Sequence, residues 1–271
     1  MSKVSTSKVN TTVNQHLLTE GLSSHDLVGS TAIVTGAGRG FGRAIASVLC
    51  GAGVHVVGIA RTRAELEAVR DELGNTFTAV VADAALPVTA SRLIDEYRPR
   101  TIVLAAGLAP PMIPLPDQTW ETFSANWNVD VAQAFHWIRY ALQRPLAPGS
   151  SVIAISSGAA VNGSPLSGGY AGAKATVRFI SSYAADESKR AGLGISFTSV
   201  LPRLTPATEL GAMAVAAYAE RSGVGVDAFV QSSGPVLTTE QVGRSVLEIA
   251  GGDRRNGDAY LLAAAGLSPL H

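Results

Sequence analysis

The chain is poor in several features that mark other classes of protein. Its 271 residues include one cysteine, Cys50, so an internal disulfide is excluded. Because Cys50 falls in an apolar helical pattern, we interpret it as a small buried side chain and not as a nucleophile. The 21 basic and 21 acidic residues balance, which gives no indication of a nucleic acid or a charged membrane surface as partner.

Long apolar segments and metal-ligand patterns are also missing. No apolar run is long enough to cross a bilayer. The five histidines show no metal-like spacing among themselves or with the cysteine. We therefore expect a soluble, cytoplasmic protein that binds no metal, no nucleic acid and no membrane.

The length fits one large α/β domain and leaves little room for a second. The first nineteen residues contain two lysines, no acid and many serines and threonines. We interpret residues 1–27 as a partly flexible amino-terminal arm and residues 28–271 as the folded domain. An organelle transit peptide, or an arm that packs on a neighbouring subunit, are alternatives that the sequence leaves open.

From Ser30 onward, apolar strand-like runs alternate with helical patterns, which predicts βαβ units and a parallel sheet. Seven strands are predicted, at Thr31–Val34, Val54–Ile59, Phe77–Val81, Thr101–Leu104, Ser151–Ile155, Ile195–Val200 and Tyr260–Leu262. A long helix is expected to end near Leu142, and residues 203–236 are expected to form loop and short helix. Because the chain shows no repeat and no linker, we expect a single α/β domain.

A glycine-rich turn, Thr35 to Gly42, follows the first predicted strand and opens a helix. Gly36 permits the tight turn, while Gly40 and Gly42 let the backbone come close to a phosphate and to the sheet. The unpaired amides at the start of the helix then face the anion. This context predicts a dinucleotide site, and a merely structural glycine turn is the alternative.

The residues after the second predicted strand indicate which dinucleotide binds. An acid at this point would bond the ribose hydroxyls and repel an added phosphate. Here Ala60 is followed by Arg61, and Arg39 lies inside the glycine turn. Two guanidinium groups suit a ribose 2′-phosphate, which favours NADP over NAD. The alternative is that both arginines are solvated surface residues. Asp83, after the third predicted strand, is either a hydrogen-bond acceptor for the adenine amine or a helix or turn cap.

Three residues near the middle of the chain are spaced for acid–base chemistry. Tyr170 and Lys174 lie four apart, so on a helix they share one face. A tyrosine is a poor acid or base near neutral pH unless a cation favours its phenolate, and an ammonium one turn away is such a cation. The strand before them ends at Ser156 and Ser157, at the sheet edge where ligands bind.

Together these motifs resemble the short-chain dehydrogenase/reductase family in its single-domain form, from about Leu27 to the end of the chain. The matching residues are Thr35, Gly36, Gly40, Phe41, Gly42, Asp83, Ala105, Ala106, Gly107, Ile155, Ser156, Ser157, Tyr170 and Lys174. The resemblance implies a Rossmann-like, doubly wound, parallel seven-stranded sheet flanked by helices. It also implies a nicotinamide cofactor and a homodimer or homotetramer.

The resemblance implies roles for individual residues. Tyr170 would exchange a proton with the substrate oxygen, and Lys174 would hold the nicotinamide ribose and favour the phenolate. Ser157 would polarise the carbonyl or alcohol, whereas Ser156 points the other way on its strand. The predicted cofactor-binding residues are Gly36, Arg39, Gly40, Phe41, Gly42, Arg61, Asp83, Ala84, Ala105, Ala106, Gly107, Tyr170, Lys174 and Thr205.

The fourth catalytic position departs from the family, which usually has an asparagine on the long helix. Counting back from the end of that helix places it at Asp130, and counting forward from Trp120 places it near Asn128. The two differ by about 200° in direction on a regular helix, so both cannot serve. We favour Asp130, whose carboxylate would pair with Lys174 and relay protons, and Asn128 is the alternative.

Two further departures affect loops. Ala105 stands where the family usually has asparagine, a change expected to affect stability more than chemistry. Pro202-Arg203 replaces the family's Pro-Gly, which puts the path of the following loop in doubt because Arg203 would be strained in a left-handed conformation. Arg203 would contact a cofactor phosphate or an acidic substrate, or form a surface salt bridge, which we favour.

The combined pattern predicts an NADP(H)-dependent oxidoreductase. It would transfer a hydride between nicotinamide and the carbonyl or secondary alcohol of a hydrophobic small molecule. The alternative is a non-catalytic NADP-binding regulatory protein of the same fold. A dehydratase or epimerase fits less well, because too few residues follow Val200 for a separate substrate domain.

Overall fold

The computed structural model describes residues 27–252 and 259–270. Within these residues the chain forms one eight-stranded sheet in the order β3-β2-β1-β4-β5-β6-β7-β8. The strands are β1 (Thr31–Thr35), β2 (His55–Ala60), β3 (Phe77–Val81), β4 (Thr101–Leu104), β5 (Ser151–Ile155), β6 (Ser196–Pro202), β7 (Ala259–Ala263) and β8 (Gly266–Leu270). The predicted residues 1–27 arm lies almost wholly outside the described residues.

The centre of the sheet is β1, which pairs in parallel with both β2 and β4. The strand order therefore reverses beside β1, and ligands of open α/β sheets bind in the crevice at such a reversal. Strands β1 and β5 consist almost entirely of buried residues, as expected for a parallel sheet covered on both faces. The predicted doubly wound, single-domain α/β fold is confirmed.

The predicted strand count was wrong, because β8 adds an eighth strand that runs antiparallel to β7. Its turn is tight, with Ala263 opposite Gly266. The sequence of β8 includes Ser268 and Pro269 and lacks the apolar alternation that predicts a strand. Proline cannot donate to a neighbouring strand, and an edge strand tolerates it because one side needs no partner.

Helices cover both faces of the sheet. They are α1 (Gly40–Gly51), α2 (Arg63–Leu73), α3 (Pro87–Tyr97), α4 (Trp120–Ser124), α5 (Ala132–Gln143), α6 (Ala159–Asn162), α7 (Gly168–Arg190), α8 (Glu209–Arg221), α9 (Val226–Ser232) and α10 (Thr239–Ala250). Side chains of α1, α2 and α10 form one apolar core with the sheet. Those of α3, α5 and α7 form a second core on the opposite face.

The helices differ from prediction in four places, one of which is the short helix α6, which was not predicted. Helix α3 was not among the predicted elements, although Pro87 at its first position and buried Leu93 and Ile94 are typical of one. The predicted long helix is interrupted by a π-helical turn at Trp127–Val131. Residues 203–236 hold α8 and α9, which are more ordered than the expected loop and short helix.

Candidate active site

A groove of about 500 Å³ lies at the carboxyl ends of β1 and β4, and the glycine turn forms one wall. Gly36 has φ +68°, and a Cβ on it would lie 2.8 Å from the backbone of Ala106. A Cβ on Gly42 would lie 2.1 Å from the carbonyl oxygen of Gly36. Only glycine fits at both positions, because backbone atoms occupy the space that a side chain would need, and the turn therefore packs closely against Ala106 beside the groove.

The adjoining wall, Ala105 to Gly107, is fixed by hydrogen bonds to two buried side chains. The Thr35 hydroxyl accepts from the amides of Ala105 at 2.9 Å and Ala106 at 3.1 Å. It also donates to the side-chain oxygen of Gln133. The Gln133 amide in turn donates to the Ala106 carbonyl at 2.8 Å. Gln133 is buried. Its side chain holds this wall by hydrogen bonds that the methyl side chain of Ala105 cannot form.

One end of the groove is lined by charged side chains of both signs. Arg61 follows β2 and makes no ion pair within residues 27–252 and 259–270. Arg39 forms an exposed ion pair with Glu209, at 2.5 Å. Glu65 also lines this end, and its carboxylate oxygen is 2.8 Å from where a Cβ on Gly38 would lie. The sequence reading missed Glu65, which reaches the groove from the first turn of α2.

Asp83 and Ala84 line the groove after β3. The Asp83 carboxylate accepts from the Ala85 amide at 2.9 Å, as in a turn cap. The Ala84 carbonyl accepts from the Trp137 indole at 2.9 Å. Both residues are thereby held in place, and one Asp83 oxygen has no partner among the hydrogen bonds of this segment.

The two serines after β5 have different surroundings. Ser156 is buried, and its hydroxyl donates to the Lys174 carbonyl at 2.8 Å. Ser157 is half-buried and lines a second cavity. Its hydroxyl oxygen accepts from the Ala159 amide at 3.2 Å and keeps its own proton available for a ligand.

Tyr170 and Lys174 lie on α7, which begins at a close contact with α4. A Cβ on Gly169 would lie 1.8 Å from the Phe123 carbonyl oxygen, so only glycine allows this approach. Tyr170 is half-buried and lines both the groove and the second cavity. The Lys174 Nζ lies 5.6 Å from the centre of the Tyr170 ring. The two side chains share one face of the helix, as their spacing predicts.

Asp130 lies in the π-helical turn and is almost completely buried. Its Oδ1 is 2.8 Å from the Lys174 Nζ, and its Oδ2 accepts from the Leu108 amide at 3.1 Å. Asn128 is exposed, so Asp130 is the residue of the two that contacts Lys174. A π turn carries one extra residue and is often found at functional sites.

A second asparagine, Asn126, supports this carboxylate and was missed in the sequence reading. It is buried, and its amide donates to the Leu108 carbonyl at 2.7 Å and to Asp130 Oδ2 at 3.3 Å. Asp130 follows Asn126 by four residues, a spacing that puts two side chains on one face of a helix, and the Asp130 amide donates to the Asn126 carbonyl at 2.8 Å.

The Lys174 ammonium is buried beside Asp130, the Ile155 carbonyl and the Tyr170 ring. Besides Asp130 it contacts the Ile155 carbonyl, to which it donates at 3.1 Å. Burial alone would lower the pKa of Lys174, but attraction to Asp130 and Tyr170 and the contact with the Asp130 carboxylate raise that pKa above its ordinary value. Lys174 is therefore a cation at neutral pH.

The second cavity, of about 570 Å³, opens beside Tyr170 and Ser157. Its walls are largely apolar and include Pro110, Met112, Pro165, Leu204, Leu210, Met213, Tyr218, Phe229 and Leu261. Thr205, predicted to bind cofactor, lines this cavity, and its hydroxyl donates to the Leu237 carbonyl at 2.6 Å. Arg203 does not adopt the strained left-handed conformation. In the described part of the chain, Arg98 is the one non-glycine residue with a positive φ angle.

Residues 27–252 and 259–270 give no sign of a membrane span or a metal site. No helix there has the length and apolar character to span a membrane. No cluster of three His, Cys, Asp or Glu side chains suited to a metal ion occurs in the same residues.

The chain is similar in sequence to known proteins. The family model "short chain dehydrogenase" matches residues 30–218. L-xylulose reductase of Mesocricetus auratus is 31% identical over 105 residues, which are 39% of this chain and 43% of that protein. Hydroxynaphthalene reductase arp2 of Aspergillus fumigatus is 30% identical over 185 residues, 65% of this chain and 66% of that protein. The chain thus spans less than two thirds of the length of these two relatives.

Solved structures share the same architecture. A dehydrogenase/reductase from Sinorhizobium meliloti 1021 is 26% identical, with a TM-score of 0.73 over 87% of this chain and 94% of that one. A 3-ketoacyl-(acyl-carrier-protein) reductase from Brucella melitensis, complexed with NADH, is 20% identical with a TM-score of 0.72 over 87% and 97% of the two chains. At that identity the second structure supports the fold alone.

Proposed function

This chain belongs to the short-chain dehydrogenase family, and from that membership we propose that it is an NADP(H)-dependent oxidoreductase. It interconverts a carbonyl and a secondary alcohol in a hydrophobic small molecule. The observation that carries the proposal is the position of Tyr170, which lines both the groove and the second cavity. One phenol can thus face a cofactor and a substrate together. Relatives named as reductases support the direction of carbonyl reduction.

Each residue of the site has a proposed role in reduction. The bound nicotinamide would supply the hydride to the carbonyl carbon. The Tyr170 hydroxyl donates its proton to the carbonyl oxygen, while Ser157 donates a hydrogen bond to the same oxygen. Lys174 stabilises the phenolate that remains. Asp130 positions the Lys174 ammonium through their ion pair. In oxidation the proton moves in the opposite direction, from the alcohol to Tyr170.

The groove fits a nicotinamide dinucleotide, with the glycine turn for its phosphates and Ala105 to Gly107 as a flat wall. We propose that the pair of arginines selects NADP. Arg61 has no carboxylate partner among the described residues, whereas Arg39 must leave Glu209 to contact a 2′-phosphate. Glu65 opposes this choice, since its carboxylate would repel the phosphate.

Arg61→Ala is expected to weaken NADPH binding by roughly 10- to 100-fold and to leave NADH binding within about twofold, because a charged hydrogen bond to phosphate is lost. Glu65→Gln is expected to strengthen NADPH binding. Fluorescence titration of the purified protein measures both. The control is Arg63→Ala, two residues away and outside the groove. Equal losses for the two cofactors with Arg61→Ala would refute the proposed preference.

The experiment that tests the enzymatic proposal is NADPH oxidation with a panel of apolar ketones and aldehydes, followed by absorbance. We expect turnover with at least one member. The competing proposal is a regulatory protein that binds cofactor without chemistry. Saturable NADPH binding with no turnover across the panel would favour it.

We further propose a homodimer or homotetramer in the cytoplasm. Large side chains on one side of α5 and α7 are exposed, among them Phe135 (49%), Phe179 (51%) and Tyr183 (62%). Such a patch is typical of a subunit interface. Light scattering is expected to give a multiple of the 27.9 kDa chain mass, and Phe179→Glu is expected to shift it towards the monomer. A wild-type protein that is monomeric at micromolar concentration would contradict the proposed oligomer. The proposed cytoplasmic location is tested separately by cell fractionation.

A further inference from the structure

The second cavity has one charged residue in its lining, counted over the described part of the chain, and that residue is Arg203. A neighbouring cavity of about 350 Å³ shares Arg203, Leu204 and Phe229 with it. Arg203 is the one charged residue in that lining as well, again within residues 27–252 and 259–270. A single cation therefore lies where two largely apolar cavities meet, and the other polar residues of their linings carry no charge.

The position of Arg203 is fixed relative to the catalytic serine. Its amide donates to the Leu262 carbonyl at 2.8 Å, which ties it to β7. The preceding carbonyl, of Pro202, accepts from the Gly158 amide at 2.9 Å. The Arg203 Cα lies 3.8 Å from where a Cβ on Gly158 would be. Because Gly158 directly follows Ser157, the arginine backbone lies beside the residue that polarises the substrate oxygen.

The Arg203 side chain is available for a ligand. It is exposed and forms no ion pair within the described residues, whereas Arg39, Arg43 and Arg144 each contact a carboxylate there. The nearby cavity wall is hydrophobic and includes the stacked rings of Tyr218 and Phe229. An apolar part of a ligand that packs on this wall would leave a charged end close to Arg203.

We propose that the substrate is an apolar carbonyl compound that carries a carboxylate, and that Arg203 binds this carboxylate. The inference rests on the oxidoreductase function proposed above and names its substrate class. A guanidinium binds a carboxylate through two parallel hydrogen bonds. One positive charge also matches the single negative charge of a carboxylate better than the two charges of a phosphate at neutral pH.

The test compares aryl keto acids of increasing length, from benzoylformate to benzoylbutyrate, with their methyl esters and with a phosphonate analogue. Wild-type kcat/KM is expected to favour the best acid over its ester by roughly 10- to 100-fold, mainly through KM, because a charged hydrogen bond is gained on binding. Arg203→Gln is expected to bring the acid-to-ester ratio close to one. Arg203→Lys is expected to give an intermediate ratio. The matched control is Arg221→Gln, an exposed arginine outside the cavities, which is expected to keep the wild-type ratio.

Several outcomes would overturn the inference while leaving the proposed function intact. These are ketone reduction with no preference for acids, an acid preference that survives Arg203→Gln, or a stronger preference for the phosphonate. Should neither acids nor esters be reduced, the enzymatic proposal fails on this panel. Calorimetric titration of the same acids into the protein with NADP⁺ then decides on Arg203 by itself. Binding that is lost in Arg203→Gln supports the site, and binding that is absent or unchanged refutes it.

Discussion

Replacing Tyr170 with phenylalanine is expected to lower kcat by roughly 10²- to 10⁴-fold, the usual effect of removing a positioned acid or base. The phenol is the proposed proton donor at the junction of the groove and the second cavity. Phenylalanine keeps the ring beside Lys174 and removes the hydroxyl alone. Steady-state NADPH oxidation with a ketone found by the panel gives the size of the loss.

Two controls separate chemistry from folding in this experiment. NADPH titration is expected to remain saturable in Tyr170→Phe, because the glycine turn and Arg61 are unchanged. Tyr97→Phe removes a comparable hydroxyl at the end of α3, outside both cavities, and is expected to retain turnover. Activity of Tyr170→Phe within tenfold of wild type would mean that another group transfers the proton.

Replacing Asp130 with alanine is expected to destabilise the protein by roughly 3–5 kcal/mol, the usual effect of removing one partner of a buried ion pair. The ammonium of Lys174 would stay buried with no opposite charge within contact. Asp130→Asn retains hydrogen bonding to Leu108 and is expected to lose less. Urea unfolding of the cofactor-free protein at neutral pH measures both free energies of unfolding.

The size of this effect is expected to depend on pH. Because folding raises the pKa of Lys174, its contribution in wild type is complete below the ordinary value of 10.5 and is lost as pH rises through the higher folded pKa. In Asp130→Ala burial acts without the carboxylate and lowers the pKa of Lys174. The free energy of unfolding of the variant therefore increases as pH rises towards 10.5. The difference in free energy of unfolding between wild type and Asp130→Ala becomes smaller over the same pH range.

An exposed ion pair provides the comparison for Asp130. Asp95 and Arg144 approach to 2.8 Å with both side chains largely in water. Asp95→Ala is expected to lose about 1 kcal/mol or less. A loss for Asp130→Ala as small as that for Asp95→Ala would show that the buried pair contributes little. A loss that stays constant up to pH 10.5 would show that the Lys174 pKa is not lowered when the carboxylate is removed.

The parts of the molecule that sequence predicted are those with short-range patterns. The glycine turn, the alternation of strands and helices and the Tyr170 to Lys174 spacing each span a few residues, and they led to the α/β class and the family, which are both confirmed. Strand β8 lacks the usual alternation of apolar and polar residues. It also contains Pro269, which a strand tolerates at the edge of a sheet. Its presence depends on β7, and no local pattern contains that information.

The supporting residues of the site were harder to predict for a related reason. Gln133 and Asn126 are ordinary polar residues in a helical pattern, and their importance depends on Thr35 and Leu108, far away in the chain. Glu65 looks like a solvated acid at the start of a helix. The one sequence feature that could have identified Gln133 is a polar side chain at a position of the helix that faces the core. No sequence pattern predicts the π turn that contains Asp130.

The position of β1 at the centre of the sheet has a consequence for the order of folding. β1 joins β2, its neighbour in the chain, and also β4, whose end meets Thr35 across 70 residues. The contact from Thr35 to Gln133 spans 98 residues. Loops of this length are costly to close and form slowly. A nascent chain can therefore complete the β1–β2 pair early, but the wall from Ala105 to Gly107 lacks its Gln133 anchor until residue 133 has been synthesised and packed.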